Sequence, residues 1–389
     1  METKKLKIGL FVDAFLPMID GVTVVVDNYA RRLLEYGEVT VFCPQPREKG
    51  YQDNAPYRVV RSRKMMIPFT DYDLSTPLFD YHFRKALRRS NLDIVHIHSP
   101  FSIGKIGVDY AKRKKIPVIA TLHSQYHMDF EQRMKSTKIA DMMTKEIMKV
   151  FNRCDEMYAV NHQVANIFQT YGANQLPKVR FNGTDLLPLP LDHRLEDFKQ
   201  EWGVRAGEFV FLFVGRIDAI KNIFFIIEAL KSVKKAKLPF KMFFVGAGPD
   251  EERLKEAIHS ANLTSQVTLV GRIKERNRLA QFYQMADLFV FPSLYDASSL
   301  VQIEAASQKT PALFLNGAAT ADTVTDGVNG FLAENDPILY GRKIVSICQD
   351  HELLTTVSQN AFRDLYKTWD EQVKKTIATY TTLIETHRK

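Results

Sequence analysis

The sequence has few cysteines and no long apolar run, and both absences narrow the class of protein. Cys43, Cys154 and Cys348 lie far apart, are odd in number and lack a CxxC spacing. Free thiols are therefore expected, without a disulfide framework or a cysteine metal site. No stretch approaches the ~20 apolar residues that cross a bilayer. The apolar run 8–12 is too short for a signal peptide, so a cytoplasmic protein is predicted.

Charge is present in quantity, and it is unevenly distributed. Residues 1–186 contain 28 Lys and Arg against 20 Asp and Glu, whereas residues 187–389 contain 25 of each sign. The whole excess of +8 therefore lies in the first half of the chain. A cationic half predicts an anionic partner, which is a nucleic acid, a phosphorylated substrate or an anionic lipid surface. No nucleic-acid-binding motif accompanies the basic residues, so nucleic acid is disfavoured.

Short apolar runs alternate with stretches of helical spacing along the 389 residues, and the pattern occurs twice. Such runs predict buried parallel strands at 7–12, 39–43, 94–97 and 117–121, and then at 209–214, 241–245, 267–270 and 288–291. Two successive series of this kind predict an α/β protein with two doubly wound, Rossmann-like domains. Ligands bind beyond the carboxyl ends of such strands, so two facing sheets would place the active site in a cleft.

The domain boundaries follow from the join at 182–193, which contains glycine and proline and little periodicity. We place a first domain at 1–186 and a second domain at 187–360. The remaining residues, 361–389, are predicted to form a C-terminal helix that packs back on the first domain.

Two cations follow the predicted strand 209–214. Arg216 and Lys221 lie between the end of this strand and a helix, where they could clamp a diphosphate. The alternative is a pair of solvated surface cations. Gly21 also lies between a strand and a helix entrance, where backbone N–H groups and the helix dipole favour phosphate. A single glycine there equally suits an ordinary helix start.

The segment 291–304 carries two carboxylates, Asp296 in a predicted loop and Glu304 in the next helix. Carboxylates accept hydrogen bonds from sugar or ribose hydroxyls, and the helix N-terminus can hold phosphate. The residues assigned to phosphate and donor binding here are Ser298, Ser299 and Leu300. Glu304 has apolar neighbours, and a buried carboxylate needs a partner. The alternative is a helix cap at Asp296 and a surface glutamate.

Three histidines, His96, His98 and His123, lie at or just after predicted strand ends. No nearby carboxylate or cysteine completes a zinc-ligand spacing, so a metal is not predicted. A hydrogen-bonding role beside the substrate is favoured, with His123 as the best candidate. The DxD motif at 71–73 is interpreted as a turn. The pair of glycines at 246 and 248 lacks the third glycine of a dinucleotide site.

The stretch 131–153 combines methionine and isoleucine with lysine at helical spacing. The residues assigned to membrane or acceptor contact are Lys135, Lys138, Met142, Lys145 and Lys149. A basic amphipathic helix can lie on an anionic membrane. The alternative is a core-facing helix with solvated lysines. Further basic patches occur at 61–66, 84–89 and 112–115.

Taken together, the motifs resemble those of the family-4 retaining glycosyltransferases of GT-B fold over nearly the whole chain. The matching segments are FVDAFLPMIDGV (11–22), HIHSPFSIGKIG (96–107), ATLHSQY (120–126), FVGRIDAIKN (213–222), VGAGPDEERL (245–254) and FPSLYDASSLVQIEA (291–305). Within the family, HSPFSIGKIG and LHSQY are similar to the diacylglycerol glucosyltransferase branch, whose members are monotopic membrane enzymes.

The resemblance implies an acceptor-binding, membrane-facing domain at 1–186 and a nucleotide-sugar-binding domain at 187–360, and it implies roles for the candidate residues in both. Gly21 would lie near the donor phosphates, and Arg216 and Lys221 would bind the diphosphate. His123 would contact the donor sugar, and Glu304 would hold the ribose hydroxyls.

The sequence departs from the family pattern in the loop before Glu304. Asp296 stands where the first glutamate of E-x7-E binds the sugar, and its side chain is one methylene shorter. Ser298 and Ser299 replace the usual aromatic–glycine pair. We therefore expect either a different donor-sugar preference or a reduced activity.

The activity implied is transfer of a hexose, with retention, from a nucleotide sugar to an acceptor. The expected donor is UDP-glucose, and the expected acceptor is diacylglycerol or a glycolipid at the inner face of the cell membrane. No cofactor and no divalent metal are expected. The alternatives are the same chemistry on a soluble sugar, polysaccharide or protein, or nucleotide-sugar binding with little turnover.

Overall fold

The computed structural model describes residues 5–18, 20–48, 50–65, 74–191, 193–298 and 300–388. The chain divides into two compact units, Met1–Asn182 with Trp369–Lys389, and Gly183–Thr368. The predicted boundary at 361 falls inside a helix of the second unit, His351–Leu365. Ala361 and Leu365 of this helix are buried in a cluster with Ala306, which explains why it stays in that unit.

The strands are short and mostly buried. Their bounds are β1 Leu6–Phe11, β2 Gly37–Pro44, β3 Arg58–Ser62, β4 Lys64–Met65, β5 Leu74–Ser75, β6 Ile94–Ile97, β7 Val118–Leu122, β8 Glu156–Ala159, β9 Lys178–Val179, β10 Phe209–Val214, β11 Phe240–Val245, β12 Val267–Gly271, β13 Leu288–Phe291, β14 Ala312–Leu315 and β15 Phe331–Ala333. Burial on both faces explains why their sequences read as continuous apolar runs.

The helices lie between the strands and after them. Their bounds are α1 Gly21–Leu33, α2 Tyr81–Arg89, α3 Ser102–Lys114, α4 Tyr126–Met134, α5 Thr137–Phe151, α6 His162–Thr170, α7 His193–Glu201, α8 Ile223–Lys235, α9 Glu251–Ser260, α10 Arg276–Met285, α11 Leu300–Ser307, α12 Pro337–Gln349, α13 His351–Leu365 and α14 Trp369–Arg388. None of the described helices has the length and apolar content needed to cross a membrane.

The first unit is built on a parallel sheet with the order β3-β2-β1-β6-β7-β8-β9 in the described part of the chain. Strand β1 pairs with β2 on one side and with β6 on the other, for example through Leu10 opposite His96. The order of the strands therefore reverses at β1 and β6. Helix α14 belongs to this unit, and its Thr376 hydroxyl lies 3.3 Å from the Tyr29 hydroxyl of α1.

The second unit is built on a parallel sheet with the order β12-β11-β10-β13-β14-β15. Strand β10 pairs with β11 and with β13, so the order reverses between β10 and β13. In open parallel sheets, ligands bind beyond the carboxyl ends of the strands at this reversal. The predicted α/β architecture with two doubly wound sheets is thus confirmed. In the second unit, the loops after β10 and β13 are the expected place of a ligand site.

Candidate active site

The loop after β10 carries the two predicted cations and is held by short contacts. It contains a 3-10 turn, Ala219–Lys221, which Asp218 caps by accepting a hydrogen bond of 3.1 Å from the Ile220 amide. Arg216 is 56% exposed, and its Nε lies 3.3 Å from the Asp218 carboxylate. Its guanidinium therefore lies at the surface of the loop, where a ligand can reach it.

Two glycines after β11 fix the path of this loop. The Gly215 amide donates to the Val245 carbonyl at 3.0 Å. A Cβ on Gly246 would lie 1.8 Å from the Gly215 carbonyl oxygen, and one on Gly248 would lie 2.1 Å from that of Ile217. The glycines at 246 and 248 therefore allow two loop backbones to pack together.

The loop after β13 brings a carboxylate to Lys221. The Lys221 ammonium donates a hydrogen bond to the Asp296 carboxylate, and both side chains are about four-fifths buried. The Asn222 side chain donates to the Pro292 carbonyl at 3.1 Å, which joins the same two loops a second time. Lys221 and Asp296 thus meet at the strand reversal, although they are 75 residues apart in sequence.

Glu304 is buried in α11, and its partners come from α10. One carboxylate oxygen accepts a hydrogen bond of 2.8 Å from Arg276, and the other accepts one of 2.9 Å from the Tyr283 hydroxyl. Burial raises the pKa of the Glu304 carboxyl, and Arg276 opposes this shift. Arg276 also donates to Asp185. Sequence reasoning missed both partners, although Arg276 and Tyr283 lie two turns apart on one helix face.

Three of the other predicted donor-binding residues lie at or just before the starts of helices α11 and α1. Ser298 is half-buried in the loop after β13, and Leu300 is the first residue of α11. Ser299 and the DxD motif at 71–73 lie outside the described residues. Gly21 begins α1 in the first unit, where the side chain of Asp20 caps the helix at the Thr23 amide, 2.7 Å away.

The three histidines form a stacked column at the ends of β6 and β7. The ring of His98 lies 4.1 Å from that of His96 and 5.3 Å from that of His123. His96 is bonded on both nitrogens, to Tyr380 of α14 at 2.6 Å and to Thr121 at 2.7 Å. Burial lowers the pKa of His96 and of His123 to about 3, so both rings are neutral at physiological pH.

His123 shares a hydrogen bond with its neighbour in the column. Its Nε2 lies 3.0 Å from Nδ1 of His98, whose ring is fully buried. Among the described residues, no group of His, Cys, Asp or Glu side chains could hold a metal ion. The described contacts of the three histidines are hydrogen bonds and ring stacking.

The residue that organises the strand reversal of the first unit is Asp13, which sequence reasoning did not select. Its carboxylate accepts hydrogen bonds from the amides of Ile103 and Gly104, at 2.7 and 3.3 Å, and from the Ser99 hydroxyl at 2.7 Å. The N-terminus of α3 is thus capped by a carboxylate of the protein itself.

The predicted membrane residues lie on and beside α5. Lys135, Lys138, Met142, Lys145 and Lys149 are all exposed. However, Ile147 and Met148 of the same helix are buried, so part of its apolar stripe faces the core. Asp141 and Glu146 lie between the lysines, which makes this surface mixed in charge.

A second surface, which we call the α2 surface, combines exposed apolar and aromatic side chains with a run of cations. It consists of Leu78, Phe79 and Tyr81, which are 57%, 86% and 57% exposed, and of the exposed cations Arg84, Lys85, Arg88 and Arg89. Phe83 and Leu87 hold this helix on the core. The apolar residues and the cations therefore face solvent at adjacent positions.

Two Rossmann-like sheets, with a cation and a carboxylate at the strand reversal of the second, are the arrangement expected of a GT-B glycosyltransferase. The family model for glycosyl transferases group 1 matches residues 195–364, and that for glycosyltransferase family 4 matches residues 19–186. The chain therefore belongs to the family-4 glycosyltransferases of GT-B fold, which confirms the predicted family.

Its relatives include two alpha-monoglucosyldiacylglycerol synthases. That of Acholeplasma laidlawii is 28% identical over 377 residues, which cover 92% of each chain. That of Streptococcus pneumoniae is 26% identical and covers 86% of this chain and 77% of its own. The GDP-mannose-dependent alpha-mannosyltransferase of Corynebacterium glutamicum is 25% identical, with coverages of 85% and 77%. The predicted branch, which contains the first two proteins, is thereby confirmed.

Solved structures support the fold. The Anabaena protein HepE, determined in complex with UDP, superposes with a TM-score of 0.77 at 17% identity and covers 96% of this chain and 100% of its own. The sucrose-phosphate synthase of Thermosynechococcus elongatus also gives 0.77, at 19% identity, with coverages of 97% and 99%.

Proposed function

We propose that this glycosyltransferase moves glucose from UDP-glucose to diacylglycerol or a glycolipid at a membrane surface, with retention of anomeric configuration and without a metal. The names of the two synthases among its relatives support the lipid acceptor and the glucosyl group. UDP in the HepE complex supports the nucleotide.

The observation that carries the proposal is the meeting of Lys221 and Asp296 at the strand reversal of the second unit. A lysine in this place can neutralise a diphosphate as negative charge develops on it, and the exposed Arg216 can add a bidentate contact. Departure of the nucleoside diphosphate breaks the bond from its terminal phosphate oxygen to the anomeric carbon. That oxygen then takes the proton of the attacking acceptor hydroxyl, so no protein base is required.

The carboxylates have separate roles in this proposal. Glu304 accepts hydrogen bonds from the ribose hydroxyls, while Asp296 orients Lys221 and contacts the sugar. The Asp296 carboxylate accepts a hydrogen bond from Lys221, and this bond occupies one of its acceptor positions. We expect this arrangement to narrow the range of donor sugars. The predicted contact of His123 with the donor sugar remains a prediction, as does the place of Gly21 near the phosphates.

Membrane contact is proposed through the cationic surfaces of the first unit. Each Lys or Arg near an anionic bilayer contributes about 1 kcal/mol, and exposed aromatic and apolar side chains enter the interface. The α2 surface offers both, whereas the lysines of α5 alternate with acidic residues. We therefore expect the α2 surface to contribute more binding energy than α5.

The reaction is tested with a panel of UDP- and GDP-sugars and diacylglycerol liposomes, with products identified by mass spectrometry. The expected product is glucosyldiacylglycerol from UDP-glucose, formed equally well in EDTA, with an α-linkage in the NMR spectrum. A product only from GDP-mannose, or only on a soluble acceptor, would contradict the proposed substrates. Nucleotide binding without any product would favour the alternative function, which is nucleotide-sugar binding with little turnover.

Membrane contact is tested by sedimentation with liposomes that contain phosphatidylglycerol. The double variant L78S/F79S should lose most of the bound fraction, whereas K138A/K145A/K149A should lose less. Equal binding by wild type and L78S/F79S would exclude the α2 surface. Binding that is insensitive to salt and to lipid charge would count against the electrostatic contribution.

A further inference from the structure

We propose that Arg276 is a positioning residue of the nucleotide site: it fixes the Glu304 carboxylate so that this group can bind the ribose diol of the donor. The inference rests on the proposed function and extends it to a residue that touches no substrate in our account. Its basis is the set of contacts around Glu304.

Both carboxylate oxygens of Glu304 can accept hydrogen bonds in addition to those from α10. Each carboxylate oxygen can accept about two hydrogen bonds. Arg276 occupies one position on the first oxygen, and the Tyr283 hydroxyl occupies one on the second. Each oxygen therefore retains about one acceptor position. Two adjacent hydroxyls that each donate one hydrogen bond match these positions, and the 2′ and 3′ hydroxyls of ribose are such a pair.

The charge of Arg276 also affects the ionisation of the Glu304 carboxyl. Among the residues that the structure describes, the charged and titratable groups that face Glu304 are Arg276 and Tyr283 of α10 and Asp185 near the start of the unit. Arg276 is the only cation among these groups. Burial raises the pKa of Glu304 and also that of Tyr283, whose hydroxyl therefore stays a hydrogen-bond donor. Without Arg276, the carboxylate would have only a neutral phenol and another acid near it, and it would take up a proton more readily.

The direction of the Arg276 guanidinium is also fixed. Arg276 bridges Glu304 and Asp185, two carboxylates that are far apart in sequence. Both hydrogen bonds come from Nη2, whose two N–H bonds lie in the fixed plane of the guanidinium, whereas a lysine ammonium rotates about its terminal bond. The oxygen that Arg276 bonds is therefore held in one direction.

The chain offers a matched control on the same helix. Arg278 also forms an ion pair, with Glu201, and is 41% exposed where Arg276 is 42% exposed. Its acidic partner is exposed and is not Glu304. Loss of Arg278 therefore removes a comparable pair without changing the environment of Glu304.

The experiment measures the affinities of UDP and 2′,3′-dideoxy-UDP for the full chain by calorimetry at pH 6.0, 7.0 and 8.5. The same comparison is made with GDP and 2′,3′-dideoxy-GDP. Wild type and R278M should bind the ribose form at least tenfold more tightly than the dideoxy form. In R276M, this preference should fall to about twofold at pH 6.0 and recover in part at pH 8.5, because a higher pH favours the ionised form of the Glu304 carboxyl. R276K should be intermediate, and R276Q serves if R276M does not fold.

The outcomes separate the inference from the function on which it rests. An unchanged ribose preference in a folded R276M or R276Q at every pH would overturn the positioning role while leaving the transferase intact. The absence of a ribose preference in wild type would overturn the role of Glu304 and, with it, the inference. Failure of wild type to bind either nucleotide would instead overturn the proposed function.

Discussion

The buried histidine column makes the stability of the first unit depend on pH. Burial lowers the pKa of His96 and of His123 to about 3, whereas a histidine in the unfolded chain titrates near 6.5. Below pH 6.5, the unfolded chain binds protons that the folded unit does not accept. The free energy of unfolding must therefore decrease as the pH falls from 6.5 towards 3.

The size of the effect follows from the two pKa values. At pH 5.0, a histidine that titrates near 6.5 unfolded and near 3 folded costs about 2 kcal/mol relative to pH 7.5. Asp13 and Asp20 act in the opposite direction, since burial raises the pKa of both carboxyl groups. The two aspartates contribute equally to the pH dependence of the free energy of unfolding in the wild type and in H96N. Subtracting one pH dependence from the other therefore leaves the contribution of His96.

The assay is urea denaturation followed by the fluorescence of Trp369 in a W202F background. Trp369 is buried in the first unit, and its ring lies 5.9 Å from that of Tyr29, which also contacts the histidines. Between pH 7.5 and 5.0, H96N should lose about 2 kcal/mol less than the parent protein. H82N, which changes an exposed histidine, should behave as the parent. An equal loss in H96N and the parent would refute the reasoning.

Three further substitutions test the loops at the strand ends. G246A should lower the free energy of unfolding by more than about 2 kcal/mol, because its Cβ would clash with the Gly215 carbonyl and its φ is +143°. G271A is the control. Gly271 has a φ of +81° but no such contact, so this substitution should lower the free energy of unfolding by about 1 kcal/mol. Denaturation followed by Trp202 fluorescence distinguishes the two. D13N should cost about 1–2 kcal/mol in the Trp369 assay, because a carboxylate that caps α3 is replaced by a weaker acceptor; no change would contradict this role.

Features of the fold that depend on periodicity and residue order can be predicted from the sequence. The run 209–214 predicts a strand, and the structure has β10 at Phe209–Val214. The cations and the carboxylate after β10 and β13 were selected because polar residues after buried strands lie at one sheet edge. Lys221 and Asp296 meet there.

Contacts that depend on side-chain packing could not be predicted from the sequence. The phase of α5 buries Ile147 and Met148, although their composition equally suited a membrane face. Arg276 was passed over because a surface arginine on a polar helix has no distinctive local pattern. Its importance depends on Glu304, which lies 28 residues away.

The most direct test of the account is the affinity of UDP for K221M. The central claim is that Lys221 neutralises the diphosphate at the end of β10, and hydrogen bonds to charged groups contribute about 1.5–3 kcal/mol. K221M should therefore bind UDP about 10 to 100-fold more weakly in calorimetry and form no glycolipid. K231M, which removes an exposed lysine of α8, should match wild type in both measurements. UDP affinity and product formation in K221M equal to those of wild type would contradict the claim.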